Sequence, residues 1–600
     1  MGIDDYPIRN PQSAIPKRLK AHFIGATLRW SGLLNQPWEQ GRMDHQPARY
    51  VGIDLGTTYS SIAYVDPQGT PVSVKNRHGK PVTPSAVMIG SDRSVVVGER
   101  AREAAISRPD LVALNFKRDM GDHFYHKRVG GRDFSPEALS ALVLRRLKDD
   151  FLEQVGPIAG AVITVPAYFG EKRRNATEDA GKIAGLQVIS IINEPTAAAL
   201  ANAFRQYLKA GGTTIRFDIA AIATTAPSTT LVFDLGGGTF DVTIIRINGD
   251  QFNVLATGGE VRLGGLDFDT RLADAVADDF ARHHGVDPRD EEQTYAELLA
   301  ASEKAKINLS DAKRVAVQLN HMGRHMAVPV TQNRFNDATA DLLTRLQMSV
   351  EMLLEDALLT WDRIDDVLMV GGASRMPMIR KMLERISGKQ PNMATAPEQI
   401  VAHGAAIHAA IEQMTHSAVT SVEGGARSLV QDELTGSADK AEAILDIFEP
   451  SVVEAASKVT LADVNSHSLG VIVRSARENR IANSIVIPSN TPLPTSRTKV
   501  FGTEAENQRM VRVLVVEGET RDPRGCTQLG ECVIRDLPKG LPQGSPVEVT
   551  FRYDRNGRIH VQARETTTQI GAEASLQRDS GFDQITLDDL TNAISQLEVE

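Results

Sequence analysis

Hydrophobic and polar positions repeat a short unit at two places along the chain. At 50–53 an apolar run, Tyr50-Val51-Gly52-Ile53, ends in Asp54-Leu55-Gly56-Thr57-Thr58, and a second apolar run follows over 60–65. This pattern predicts strand, tight glycine turn, strand. The same grammar returns at Leu231-Val232-Phe233-Asp234-Leu235-Gly236-Gly237-Gly238-Thr239-Phe240-Asp241-Val242-Thr243-Ile244-Ile245. Two Asp-Leu-Gly hairpins, each opening a block of domain size, predict an internal duplication with two lobes facing across a cleft. Successive backbone N–H groups in such turns make an anion-binding concavity. Asp54 and Asp234, each at a strand end, are placed to hold a hydrated cation beside that anion.

The rest of the chain can be ordered around that cleft. Residues 49–89 read as β-rich, and 136–151 as a helix. The apolar run 161–166 reads as a buried strand ending at Pro166, followed by a helix over 171–184, a strand over 188–192 and a helix opening at Pro195. Alternating strands and helices imply α/β architecture with covered sheets. A Thr/Ala/Ser/Pro-rich stretch marks 205–229 as an inserted loop. The second lobe is expected over 230–411, with helices near 267–284 and 295–309 and a strand-turn at 366–375 leading into a helix near Pro377. The composition of 412–458 shifts to Gly, Ser, Thr and Glu, which suggests a linker or mobile insertion. Beyond 460, short alternating segments separated by Gly, Pro and Asn turns predict an all-β sandwich. The segment 586–597 fits one short helix that Thr586 could cap, with Leu587, Leu590, Ile594 and Leu597 on one face. The expected domains are therefore an extension over 1–48, a two-lobed unit over 49–411 (lobe I 49–229, lobe II 230–411), an insertion and linker over 412–462, a sandwich over 463–571 and a helical remnant over 572–600.

Composition narrows the class. The chain has 600 residues, 42% hydrophobic and 24% charged, as ordinary globular domains do. Its net charge of −10 argues against nucleic acid as the main partner. Cys526 and Cys532 are its two cysteines, too few for a disulfide framework or a metal site, which fits a reducing cytoplasm. No apolar run is long enough to span a membrane. The first 48 residues are basic and partly apolar over 17–34, yet Asp4 and Asp5 precede that stretch and no signal-type core follows. They are expected to form a poorly ordered tail, with Met43 as a candidate translation start.

Phosphoryl transfer needs positioning, a metal and positive charge on the phosphates. Asn115-Phe116-Lys117-Arg118 offers a lysine between turn-rich segments, although most lysines are merely solvated. Asn193-Glu194-Pro195 puts a carboxylate just after a strand, where it either opens a helix or aligns a water. Glu303-Lys304-Ala305-Lys306 with Ser310 could meet a ribose and base, or form an exposed helix face. Gly371-Gly372-Ala373-Ser374-Arg375 could let a base approach the backbone, with Arg375 stacking on it.

The segments 51–60, 162–169, 191–200, 231–245, 263–271, 303–310 and 370–378, in this order and spacing, resemble the 70-kilodalton heat-shock chaperones of the DnaK type. The resemblance covers 49–411 and, more loosely, 459–571, and suggests a divergent bacterial member. It implies an actin-like ATPase domain, with duplicated ribonuclease-H-like lobes, followed by a β-sandwich that grips peptides. It places the phosphate loops at Gly56-Thr57-Thr58-Tyr59 and Gly236-Gly237-Gly238-Thr239. The magnesium-facing acids, acting through water, are then Asp54 and Asp234. The resemblance assigns hydrolysis to Lys117, Glu194, Asp241 and Thr239, and adenosine contact to Glu303, Lys306, Ser310, Gly371, Gly372 and Arg375. Pro166, Arg174 and Asp463 fall on the switch that relays nucleotide state, and the peptide pocket on Val471, Phe501, Val511 and Val513. The implied cofactors are ATP or ADP with Mg2+, and K+ as a further cation. The implied partners are unfolded client polypeptides, a J-domain co-chaperone and a nucleotide exchange factor.

Several departures from the family pattern carry their own expectations. The stretch from Lys117 to Ser135 is short, which trims the subdomain above the cleft. The segment 309–336 is compact, which bears on exchange-factor binding. Ser190 stands where relatives usually carry arginine, which bears on J-domain docking. The linker Val459-Thr460-Leu461-Ala462 replaces a leucine-rich tetrad, which weakens the apolar docking expected there. Glu504 stands where a small apolar residue is common, and the loop 474–481 is charged, so the arch over the peptide is expected to be polar. Less chain follows the sandwich than the family's helical lid needs, so peptide release is expected to be fast. Two other classes share the scaffold. A small-molecule kinase would not need 460–571, and an ATP-dependent scaffold protein would assemble with nucleotide.

Overall fold

The computed structural model describes residues 48–600 except 68, 91, 93, 210–225, 395, 424–458, 475–479, 555–557, 577–589, 593 and 595–600. The expectations for the N-terminal extension, for Met43, for most of 412–458 and for Thr586, Leu587 and Leu597 lie outside the described residues.

Lobe I is built from β1 (Arg49–Asp54), β2 (Tyr59–Val65), β3 (Pro71–Ser73), β4 (Thr83–Pro84), β5 (Ala86–Ile89), β6 (Val95–Val97), β7 (Val112–Leu114), β8 (Ile158–Val165) and β9 (Val188–Asn193), with helices α1 (Glu99–Ser107), α2 (Pro136–Gln154), α3 (Glu171–Ile183) and α4 (Glu194–Lys209). Its main sheet runs β3-β2-β1-β8-β9. β1 pairs antiparallel with β2 and parallel with β8. Lobe II repeats this arrangement. It contains β10 (Ser228–Leu235), β11 (Phe240–Asn248), β12 (Gln251–Glu260), β13 (Arg314–His321), β14 (Arg324–Thr331), β15 (Asp366–Val370) and β16 (Asn392–Met393), with α5 (Gly265–His284), α6 (Glu292–Leu309), α7 (Gln332–Ala338), α8 (Ala340–Asp356), α9 (Pro377–Ser387) and α10 (Ile400–Glu423). Here β10 pairs antiparallel with β11 and parallel with β15. The duplication read from the two Asp-Leu-Gly hairpins is thus a repeat of topology as well as of motif.

Each lobe has its own apolar core, and a third core joins them. Val162 and Ile192 of lobe I, Val232 and Ile245 of lobe II, and the Ala-rich faces of α4 and α10 form one buried cluster. Gly404 of α10 lies so close to α4 that an added Cβ would sit 1.8 Å from the Ala197 carbonyl oxygen. The boundary expected at 411 falls inside α10, which continues to Glu423.

The linker strand β17 (Thr460–Ala462) extends the lobe II sheet, pairing parallel with Gln251–Asn253 of β12. Val459 and Leu461 pack against the shared core. The altered linker therefore still docks, by backbone pairing and two apolar side chains.

Two four-stranded sheets follow. One orders β18 (Leu469–Arg474), β19 (Ile481–Ile487), β21 (Val511–Glu517) and β22 (Thr527–Ile534) as β19-β18-β21-β22, and the other orders β20 (Thr495–Gly502), β23 (Pro546–Tyr553), β24 (Ile559–Glu565) and β25 (Gly571–Leu576) as β20-β23-β24-β25. Alternating side chains such as Val547, Val549, Phe551 and Tyr553 fill the space between the sheets. The helical remnant is present at Leu590, Thr591, Asn592 and Ile594. Leu590 and Ile594 pack on the lobe I core, and Arg145 donates to the Ile594 carbonyl. Among the described residues no helix is long and apolar enough to cross a membrane.

Candidate functional site

The two glycine hairpins interlock at the floor of the cleft. An added Cβ at Gly237 would lie 1.9 Å from Thr58 Oγ1, and one at Gly238 would lie 2.4 Å from Thr57 Cγ2. The second hairpin must therefore be glycine where it faces the threonines of the first. The N–H groups of Gly265 and Leu266 donate to Gly236 and Gly237 carbonyls at 2.9 and 2.8 Å, seating the start of α5 on this loop. Gly371, at φ 81°, passes Asp234 so closely that a Cβ would come within 2.6 Å of its Oδ1.

Four carboxylates and one ammonium gather beneath the hairpins. Asp234, Asp241, Glu194 and Lys117 are buried, and Asp54 is half-buried beside them. Lys117 Nζ lies 2.6 Å from Glu194 Oε1. Thr164 donates to Asp54 Oδ1 at 3.2 Å, and the Tyr168 N–H donates to Asp241 Oδ1 at 2.9 Å. Burial, reinforced by the Glu194 charge, pushes Asp54 up to about 7 and Asp241 up to about 8, and holds Asp234 well above the usual carboxylate range. One lysine cannot balance four acids, so the cluster suits a further cation. Among the described residues no three acidic, His or Cys side chains converge closely enough to ligate a metal directly. The donor set therefore fits a hydrated ion held through water and phosphate oxygens. The Thr58 hydroxyl oxygen is buried nearby without a hydrogen-bond partner.

A cleft of about 500 Å3 opens above this floor. Asp54, Gly56, Thr57, Thr58, Tyr59, Lys117, Glu194, Asp234, Gly236, Gly237, Thr239, Glu303, Lys306, Gly371, Gly372 and Arg375 of the expected residues line it. Gly238 and Asp241 are not among its lining residues. Ser310, the C-cap of α6, instead faces a separate crevice with Gln332, Asn336 and Met376. Lys306 reaches the Gly265 carbonyl at 2.9 Å and Asp269 at 2.8 Å, while burial raises Asp269 to about 6 despite that partner.

The residues that the sequence did not single out here are Arg102, Ile307, Asp269 and Glu398. Arg102 reaches across from α1 to Glu303 at 2.5 Å and stacks 4.8 Å over the Tyr59 ring. Arg375 pairs with Glu398 at 3.1 Å. A second, larger cavity of about 750 Å3 shares Thr58, Leu266, Asp269 and Glu303 with the cleft. Asn115, Arg118, Asp119 and His126 line it, and none of the four clustered acids does.

Two of the three expected switch residues, Arg174 and Asp463, meet on one side chain. Arg174 Nη1 donates to Asn193 Oδ1 at 2.6 Å, and Asn193 Nδ2 donates to Asp463 Oδ2 at 2.5 Å. Asn193 directly precedes Glu194, an association that residue spacing alone did not reveal. Beyond Pro166, the Ala167 carbonyl accepts from Ser466 at 2.5 Å and the Tyr168 carbonyl accepts from His467 at 3.2 Å. One short loop thus touches both the carboxylate floor and the start of the sandwich.

Of the residues expected to line a peptide pocket, Val471 and Val513 are buried in the sandwich core, whereas Phe501 and Val511 lie half-buried at its edge. Ile481, Val500 and Met510 are exposed on this domain. Arg474, at the end of β18, pairs at 3.1 Å with Glu504 in the loop between β20 and β21, whereas most of the loop 474–481, on which the expectation of a polar arch rests, lies outside the described residues.

Comparison with known proteins agrees with this architecture. Residues 50–130, 125–422 and 427–600 match the family model described as Hsp70 protein. The proteins named Chaperone protein DnaK from Thermotoga petrophila and Thermotoga maritima are each 36% identical over 526 residues, covering 86% of this chain and 78% of theirs. The corresponding protein of Thermotoga neapolitana is similar to the same extent.

Proposed function

We infer, for a chain that belongs to the Hsp70 family and is an ATP-dependent molecular chaperone with ATPase activity, that the cleft between the interlocked hairpins takes ATP with magnesium and governs the docked sandwich. The observation that carries this reading is the largely buried group of four acids and one lysine beneath two interlocked glycine hairpins. ATP with its magnesium supplies the bond to be broken and the missing positive charge. The backbone N–H groups of 56–59 and 236–239 would hold the phosphates, and Asp54 and Asp234 would orient the hydrated ion. Lys117 offsets charge on the terminal phosphate, and Glu194, Asp241 and Thr239 position the attacking water. Ile307 and Arg375 flank the base end, with Glu303 and Lys306 toward the ribose.

Client polypeptides are the partners that family membership implies, and we place them at the exposed edge of the sandwich near Phe501 and Val511. Coupling is assigned to Arg174, Asn193 and Asp463 together with the loop after Pro166. A cytoplasmic location, a J-domain partner and an exchange factor follow the family's habit. A sandwich that touches lobe I through Ser466, His467 and Glu517, behind a linker strand that extends the lobe II sheet, disfavours the kinase reading. The test is ATP turnover with and without a panel of apolar peptides, in the wild type and in Thr239→Ala. Turnover that rises with peptide and drops in the variant is expected; a variant as fast as wild type would overturn the site assignment.

A further inference from the structure

The surface where the sandwich meets lobe I contains two carboxylates brought together by separate domains. Glu171 opens α3 of lobe I, and Glu517 ends β21 of the sandwich. The Glu171 N–H donates to Glu517 Oε1 at 3.3 Å. The approach is close enough that a Cβ at the neighbouring Gly170 would lie 2.3 Å from Glu517 Oε2. Both side chains are buried, and Glu171 Oε2 has no hydrogen-bond partner.

We propose that docking of the sandwich on lobe I is proton-linked through Glu171 and Glu517: the docked arrangement keeps one of these acids protonated, and separation of the domains releases that proton. The proposal rests on the preceding reading only in taking the two domains to separate during the working cycle.

The surroundings favour the neutral form. Burial pushes Glu171 up to about 8, with Glu517 and Asp554 adding to the rise and Arg174 and Asn175 opposing it. Burial likewise raises Glu517, opposed by His467, the Glu171 N–H, Arg174 and Arg173. Tyr553 and Asp463 lie in the same patch; burial pushes Tyr553 well above its usual value and raises Asp463, against Arg174, the Val464 N–H and Asn193. The cations present do not settle the matter. Arg174 is committed to Asn193, and Arg173 stacks on Phe169.

The sign follows from linkage. In the separated form both carboxyls face water and titrate near 4.5. The docked form binds the extra proton between that value and about 8. Docking is therefore strongest at low pH and weakens through this window, by up to about tenfold per pH unit.

The experiment uses the full chain labelled with a fluorescent donor on lobe I and an acceptor on the sandwich. The docked fraction is read by energy transfer from pH 6 to 8.5, with magnesium and a non-hydrolysable ATP analogue. In the wild type the docking constant is expected to fall at least tenfold across this range. Glu517→Gln can still accept from the Glu171 N–H and needs no proton, so it should remain docked at pH 8.5 with a flattened profile. Glu171→Gln serves as the second variant. A wild-type profile independent of pH, or one whose slope persists in both glutamine variants, overturns the proposal. Either result leaves the ATPase reading untouched, since that stands or falls on turnover.

Discussion

Asp241, in the buried acid cluster, accepts a hydrogen bond from the backbone N–H of Tyr168, whose carbonyl in turn accepts from His467 of the sandwich approach. The backbone of one residue therefore joins the floor of the cleft to the neighbouring domain, and a shift of Asp241 reaches His467 without a further side chain between them. His467→Ala keeps the floor intact and removes the outer contact. Stimulation of ATP turnover by peptide should fall about tenfold, within the usual range of allosteric coupling, while the unstimulated rate changes little. Stimulation at the wild-type level would show that the contact transmits nothing.

Lys117 is the counter-charge of Glu194 in a pocket with three further acids. Lys117→Ala leaves these acids unbalanced and strips the terminal phosphate of its nearest cation. Single-turnover hydrolysis should slow by roughly 100-fold to 1,000-fold, with nucleotide binding still measurable by calorimetry. A loss below tenfold would remove Lys117 from the chemistry.

Removal of magnesium should be felt as lost stabilisation. At a concentration 100 times its Kd, ADP with magnesium is expected to stabilise the chain by about 2.7 kcal/mol, visible as a higher melting temperature. Chelation with EDTA should abolish most of that gain, because the phosphates then face the acids without an intervening cation. Equal melting temperatures with ADP in magnesium and in EDTA would contradict the hydrated-ion reading.

Ile594 is buried against the lobe I core. Ile594→Ala deletes buried methylenes at a site where relaxation is limited, at a cost of about 2 kcal/mol or more. Differential scanning calorimetry should record the ATPase domain melting several degrees earlier, with the Kd for ATP unchanged. An unaltered melting temperature would mean that this helix adds nothing to lobe I.

The Arg474–Glu504 pair is exposed on both sides, so its net worth is about 0–1 kcal/mol. Glu504→Ala should change affinity for an uncharged apolar peptide less than about fivefold and flatten the dependence of binding on salt. A salt profile identical to wild type would take the pair out of peptide capture.

The sequence exposed those parts of the molecule that depend on local chemistry. Asp-Leu-Gly hairpins announced both lobes because a tight turn between apolar strands has few alternatives, and Asp54, Thr58, Lys117, Glu194, Asp234 and Thr239 gather as those motifs imply. Parts that depend on distant segments stayed hidden. The first half of α10, 400–411, has only His403 and His408 as polar positions, since it is packed on several sides by α4, β1 and β2, and so shows no amphipathic period. Arg102 sits on a short helix far from any motif, and its partner Glu303 is 201 residues away. Val471 and Val513 look alike as pocket and as core, because both demand a small apolar side chain on an alternating strand. Asn193 carries no spacing signal, because its partners Arg174 and Asp463 lie 19 and 270 residues away along the chain.

The crossing of α4 and α10 constrains what the cleft can do. With Gly404 resting against the backbone of Ala197, the two helices have no cushion of flexible side chains between them. Translation of one past the other would drive main chain into main chain, whereas rolling about the point of contact costs little. Opening of the jaws is thereby restricted to a swivel. Because Val459, Leu461 and Val464 lie against the same bearing, each swivel must be registered by the linker.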